Sequence, residues 1–132
     1  MSSSDRACAF RDEQHFQDEV MRLAVTLGTL AYHPYRSTRS VPGFLDTVIV
    51  GARGVLYREL KMPRGVVSPD QTYWIAALQE AGQDVGVWRP EHWPTIITEE
   101  IMALGRLSAR RPVPSQAEVR RRLRGRGVRG RG

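Results

Sequence analysis

Apolar residues recur along this chain with two different periods, and the period marks each element. Over 12–27, Phe16, Val20, Leu23, Ala24 and Leu27 return at three- and four-residue steps, which predicts a helix stopped by Gly28. Leu30-Ala31-Tyr32-His33 predicts a short strand closed by Pro34. Over 46–50 and 55–61 the period falls to two, with β-branched Val48, Ile49, Val50 and Val55, and the four residues Gly51-Ala52-Arg53-Gly54 join the two runs as a hairpin loop. Ser68-Pro69-Asp70-Gln71 is a helix start, with a serine cap, a proline in the first turn and a glutamine at the third position. That helix is predicted over 69–81, with Trp74, Ile75, Leu78 and Ala81 turned inward and Gly82 ending it. A strand over 85–88 and a helix over 95–107, carrying Ile96, Ile97, Ile101 and Leu104, complete the order. Helix, three-strand meander, helix, strand, helix is an α/β arrangement: a central mixed four-stranded sheet flanked by helices, its last strand reached by a parallel crossover.

The hairpin carries the chemistry. With Val50 opposite Val55, Asp46 lies opposite Glu59, and directly opposed residues share a face with Cβ atoms about 4.5–5.5 Å apart. Lys61, two residues on and the only lysine in the chain, falls on that same face. Opposed carboxylates destabilise each other unless positive charge lies between them. Lys61 can supply it, and so can a hard divalent cation, which prefers carboxylate, carbonyl and water oxygens. The residues themselves leave two readings open, a metal site and a solvated Asp–Lys–Glu cluster. Glu13, at the head of the first helix, favours the helix dipole there.

Charge divides the chain. Residues 106–132 hold ten arginines and one acid, Glu118, for a net of +9, so residues 1–105 carry −3 of the overall +6. A mildly acidic body with a strongly basic tail points to a polyanion partner. Arg120, Arg121, Arg122 and Arg124 fall in a predicted short basic helix over 116–124, and the Arg-Gly end is expected to be disordered, as is the Ser-rich segment 1–10. Arg36 and Arg39, in the polar loop before the hairpin, are candidate phosphate contacts, as are Arg64 and Arg89. Lone Cys8 fits a reducing cytoplasm, and no run reaches the roughly 18 apolar residues of a membrane span. The three histidines and one cysteine show no zinc-ligand spacing, and no organic cofactor is implied.

The succession PGFLD…ELK, GVVSPDQ, AGQDV and VWRP, spanning about residues 13–93, resembles the VRR-NUC family of the PD-(D/E)XK nucleases. The resemblance implies a restriction-endonuclease-like core at 11–107 and metal-dependent hydrolysis of DNA phosphodiester bonds. It implies a catalytic set of Asp46, Glu59, Lys61 and Gln71. Mg²⁺ or Mn²⁺ would be held by Asp46, Glu59, the Leu60 carbonyl and Glu13. One departure is that Leu45 stands where the family usually has a proline before the first acid. The small core has little surface for reading bases, so branched or flapped DNA is the expected substrate, in repair or recombination of a phage or bacterial system, with a homodimer as working unit. The alternative is a non-catalytic nucleic-acid-binding or assembly module on the same fold.

Overall fold

The computed structural model describes residues 8–34, 42–108 and 115–127. Within them lie α1 (Glu13–Thr26), β1 (Leu30–Tyr32), β2 (Thr47–Gly51), β3 (Gly54–Leu60), α2 (Pro69–Glu80), β4 (Asp84–Trp88), α3 (Thr95–Ala103) and α4 (Gln116–Gly127). The four strands form one sheet in sequence order. β1, β2 and β3 are antiparallel neighbours, and β4 returns parallel to β3. This is the mixed four-stranded sheet flanked by helices that the periodicities predict.

Strand alternation sorts β3 into two faces. Leu56 and Leu60 join Ile49 of β2 and Trp88 of β4 on the side covered by α1 and α3, whose Phe16, Val20, Ala24, Ile97 and Ile101 are fully buried. Each buried Val, Leu, Ile or Phe side chain among them contributes about 1.5–3 kcal/mol by leaving water. α2 lies on the other side and buries none of its residues completely. Its expected inward stripe is therefore shallow: Trp74, Ile75 and Leu78 are half-buried, and Ala81 is exposed, because this helix roofs a site and not a core.

Several boundaries differ from expectation for local reasons. The hairpin is tighter than the four-residue loop expected from the sequence: Gly51 pairs with Gly54, leaving only Ala52 and Arg53 in the turn. Their N–H groups donate to the Gly105 and Leu104 carbonyls at 3.0 and 2.7 Å, and the Arg53 guanidinium donates to the Ala103 and Met102 carbonyls at 3.1 and 3.4 Å. The turn thus satisfies the open carbonyl end of α3. That helix stops at Ala103, short of the expected 107, where Gly105 takes a left-handed φ of +80°. Phe10 is not part of a loose leader. It is 5% exposed, with its ring 4.8 Å from Phe16 and 5.4 Å from Trp93, because an aromatic next to a helix cap can close over the core. α4 continues to Gly127, taking in Gly125 from the Arg-Gly end expected to lack structure. Among the described residues no helix is long and apolar enough to cross a membrane.

Candidate active site

The site forms where β2 and β3 part company. The paired register ends at Thr47 and Arg58, and the next position places Asp46 opposite Glu59, as the sequence register requires. Side chains replace the missing rung: the Asp46 N–H donates to Glu59 Oε2 and the Leu60 N–H donates to Asp46 Oδ2, each at 3.3 Å. On its other edge β3 stays beside β4 past this point, with the Lys61 N–H donating to the Trp88 carbonyl at 3.0 Å. The backbone leading into Asp46 is clamped from α2. Gly43 has φ +84°, and a Cβ there would meet the backbone of Asp70 at 2.5 Å, so only glycine permits this approach. Trp74 donates from Nε1 to the Pro42 carbonyl at 3.2 Å and meets the Phe44 ring edge-on at 5.1 Å. Leu45, in the position of the expected proline, is fully buried.

Around this notch the chain gathers Glu13, Asp46 and Glu59, each offering a carboxylate oxygen within 4.8 Å of the others. Glu13 arrives from the first turn of α1, set by the Asp12 cap that accepts the His15 N–H at 2.8 Å. Glu59 is wholly buried. Lys61 Nζ lies 3.6 Å from Glu59 Oε1, with its side chain only 15% exposed. Gln71 makes two bonds at once. Its Oε1 accepts the Ser68 N–H at 2.8 Å in the capping box, and its Nε2 donates to Glu59 Oε1 at 2.6 Å.

Crowding of the acids shows in their protonation. Burial, then the neighbouring Asp46, pushes the Glu59 carboxyl from 4.5 up to about 8, against a smaller downward pull from Lys61. Glu13 is raised too, first by desolvation and then by Asp46. A set of three carboxylate oxygens that repel one another at close range, with no soft donor among them, suits a hard divalent cation such as Mg²⁺ or Mn²⁺.

The nucleic-acid candidates are dispersed. Arg64 is exposed in the turn after Lys61. Arg89 Nη1 donates to the Met62 and Gly65 carbonyls, both at 2.8 Å. Arg120, Arg121, Arg122 and Arg124 lie on α4, Arg122 paired with Glu118 at 3.0 Å. Arg36 and Arg39 lie outside the described residues.

One charged residue close to the site is not picked out by the sequence motifs. Arg58 is 4% exposed on the α3 side of β3, donating to Asp84 Oδ1 at 2.8 Å and Glu100 Oε1 at 2.9 Å, with its guanidinium 5.2 Å over the Trp88 ring. Trp88 Nε1 donates to Glu100 Oε2 at 2.8 Å, closing the network. The signal for it is Leu56-x-Arg58-x-Leu60: a cation between two core leucines at period two must be caged.

The chain is similar to a solved VRR_NUC domain protein. The likeness has a TM-score of 0.48 at 19% identity, covering 70% of this chain and 92% of that one. It is also similar to Hjc of Archaeoglobus fulgidus, a Holliday junction resolvase, with TM-score 0.43 at 21% identity over 57% of this chain and 66% of that one. No family model matches the chain, and no curated protein matches it.

Proposed function

We propose that this protein is a metal-dependent endonuclease that hydrolyses DNA phosphodiester bonds, selective for branched or flapped structures and working as a homodimer. The observation that carries the reading is the meeting of Glu13, Asp46 and Glu59 within 4.8 Å, with Lys61 Nζ 3.6 Å from Glu59. Asp46 and Glu59, with Glu13 and the Leu60 carbonyl, would hold Mg²⁺ or Mn²⁺. When bound, such an ion polarises a phosphoryl oxygen and acidifies a bound water. The chain's own residues do the rest. Lys61 offers its ammonium to the charge that develops on phosphate or to the attacking water, a contribution made in the transition state. Gln71 holds Glu59 Oε1 in place, and the capping box fixes Gln71 in turn. The basic tail supplies affinity for the polyanion without reading its sequence.

The test is cleavage of four-way junctions, flaps and linear duplex with Mg²⁺ or Mn²⁺, beside Asp46→Ala and with sedimentation to count protomers. Expected are metal-dependent cutting that favours branched substrates and its loss in Asp46→Ala. Cutting that survives Asp46→Ala removes the assignment. A second reading has its own observation: Glu59 already receives Gln71 and lies beside Lys61, as it would in a cluster that only braces a DNA-binding module. Binding of junction DNA without cleavage in either metal would favour that reading.

A further inference from the structure

Arg89 stands at the end of β4, where arginine in a basic protein invites assignment as a phosphate contact. One arm of its guanidinium is already committed within the protein. Both hydrogens of Nη1 go to neutral main-chain carbonyls, Met62 O and Gly65 O, each at 2.8 Å. Among the described residues no acid lies within ion-pair distance of it. Its own N–H donates to His92 Nδ1 at 2.9 Å, which anchors the backbone from which the side chain reaches. The two carbonyls belong to the turn that follows β3, closed by the Gly65 N–H donating to Met62 O at 2.9 Å. This turn is the wall against which Lys61 lies: a Cβ at Gly65 would stand 3.3 Å from Lys61 Cδ. The end of β4 and the residue after it therefore bear on Lys61 twice: the Trp88 carbonyl accepts its N–H, and Arg89 holds the turn beside its stem.

We infer that Arg89 is a positioning residue, fixing the Lys61 ammonium beside Glu59 by holding the 62–65 turn. A planar guanidinium suits this task because its N–H groups are fixed in direction, whereas a flexible ammonium would let the turn drift. The kinetic consequence rests on the nuclease reading; the structural one does not. A displacement of about 1 Å in a group acting on the transition state can cost about 10²-fold in rate.

The experiment uses the full chain and the variants Arg89→Met, Gly65→Ala and Lys61→Ala. Because Lys61 is the sole lysine, acylation by an amine-reactive ester at one fixed pH, in metal-free protein, reports on one side chain by peptide mass. Arg89→Met is expected to raise the labelling rate of Lys61 about fivefold, as a locally opened turn would, with the amino-terminal amine labelled as before. In junction cleavage it should lower kcat by about 10²-fold with KM kept within about twofold. On a Lys61→Ala background the same change should alter kcat by less than about twofold, since coupled residues are not additive.

Unchanged labelling overturns the inference. So does a raised KM with kcat preserved, the mark of a phosphate contact, or a loss that multiplies in full with Lys61→Ala. Should Arg89→Met fail to fold, Gly65→Ala decides. It adds a methyl 3.3 Å from Lys61 Cδ with Arg89 intact, and is expected to change the Lys61 labelling rate and to lower kcat, non-additively with Lys61→Ala; a Gly65→Ala neutral in both overturns the inference. If the wild type cuts nothing, the proposed function fails while labelling still judges Arg89.

Discussion

Gln71 and Glu59, twelve residues apart, are joined by a 2.6 Å hydrogen bond in which the amide that caps α2 also holds a buried carboxylate. One side chain thereby ties helix geometry to site geometry. Gln71→Ala should lose the reciprocal cap and cost about 1 kcal/mol, read by urea unfolding. It should also lower kcat for cleavage, because Glu59 loses its donor. Ser68→Ala removes the other half of the box and should cost a similar amount of stability. It leaves the Gln71 bond to Glu59 standing, so its effect on kcat should be much smaller.

Glu59 sets the pH response of the metal-free protein. Its carboxyl titrates at about 8 when folded against 4.5 as its ordinary value, so the folded chain binds the extra proton between those values. The resulting stability is full below pH 4.5 and is lost as pH rises through about 8. Glu59→Gln, which mimics the protonated acid, should melt above the wild type at pH 9 in chelator and close to it at pH 5. Calorimetry of Mg²⁺ or Mn²⁺ binding at pH 7 in buffers of differing ionisation heat should find about one proton released from Glu59 per ion bound.

The arginines of α4 should act on affinity alone. Replacing Arg120, Arg121, Arg122 and Arg124 by glutamine should weaken DNA binding equally across sequences. It should reduce the slope of log K against log salt by at most about 0.9 for each phosphate no longer neutralised. Arg122 should contribute least, because Glu118 already holds it at 3.0 Å. kcat at saturating DNA should stay unchanged, measured in the same cleavage assay.

Arg58 is a stability residue. Arg58→Met should cost about 2–3 kcal/mol in urea unfolding, less than a fully enclosed ion pair because its partners reach water. Asp84 is 58% exposed, and Glu100 keeps its bond from Trp88.

The hairpin is legible in the sequence from two glycines and a run of β-branched residues; the Val50–Val55 register assumed from them is the one the strands adopt, and it sets Asp46 against Glu59. The sequence marks Gln71 twice, once as a cap and once through the motif, and the side chain makes both the capping bond and a bond to Glu59. What stays hidden depends on distant parts of the chain. Nothing local marks Phe10 as buried, since its pocket is made by Phe16 and Trp93. The end of α3 is set at Gly105 and satisfied by Arg53 from a turn some fifty residues earlier, a pairing that periodicity cannot express. The partners of Arg89 stay hidden because charge shows in the sequence while main-chain carbonyls do not.

Neighbours in β3, Arg58 and Glu59 look in opposite directions, one into a cage of Asp84 and Glu100, the other toward Asp46 and Gln71. A shift of this strand by a single place would deliver the guanidinium to the acidic notch and strand the carboxylate among leucines and an indole. Two ionic mistakes would arise from one slip. The same dipeptide that equips the site therefore also proofreads the alignment of the sheet.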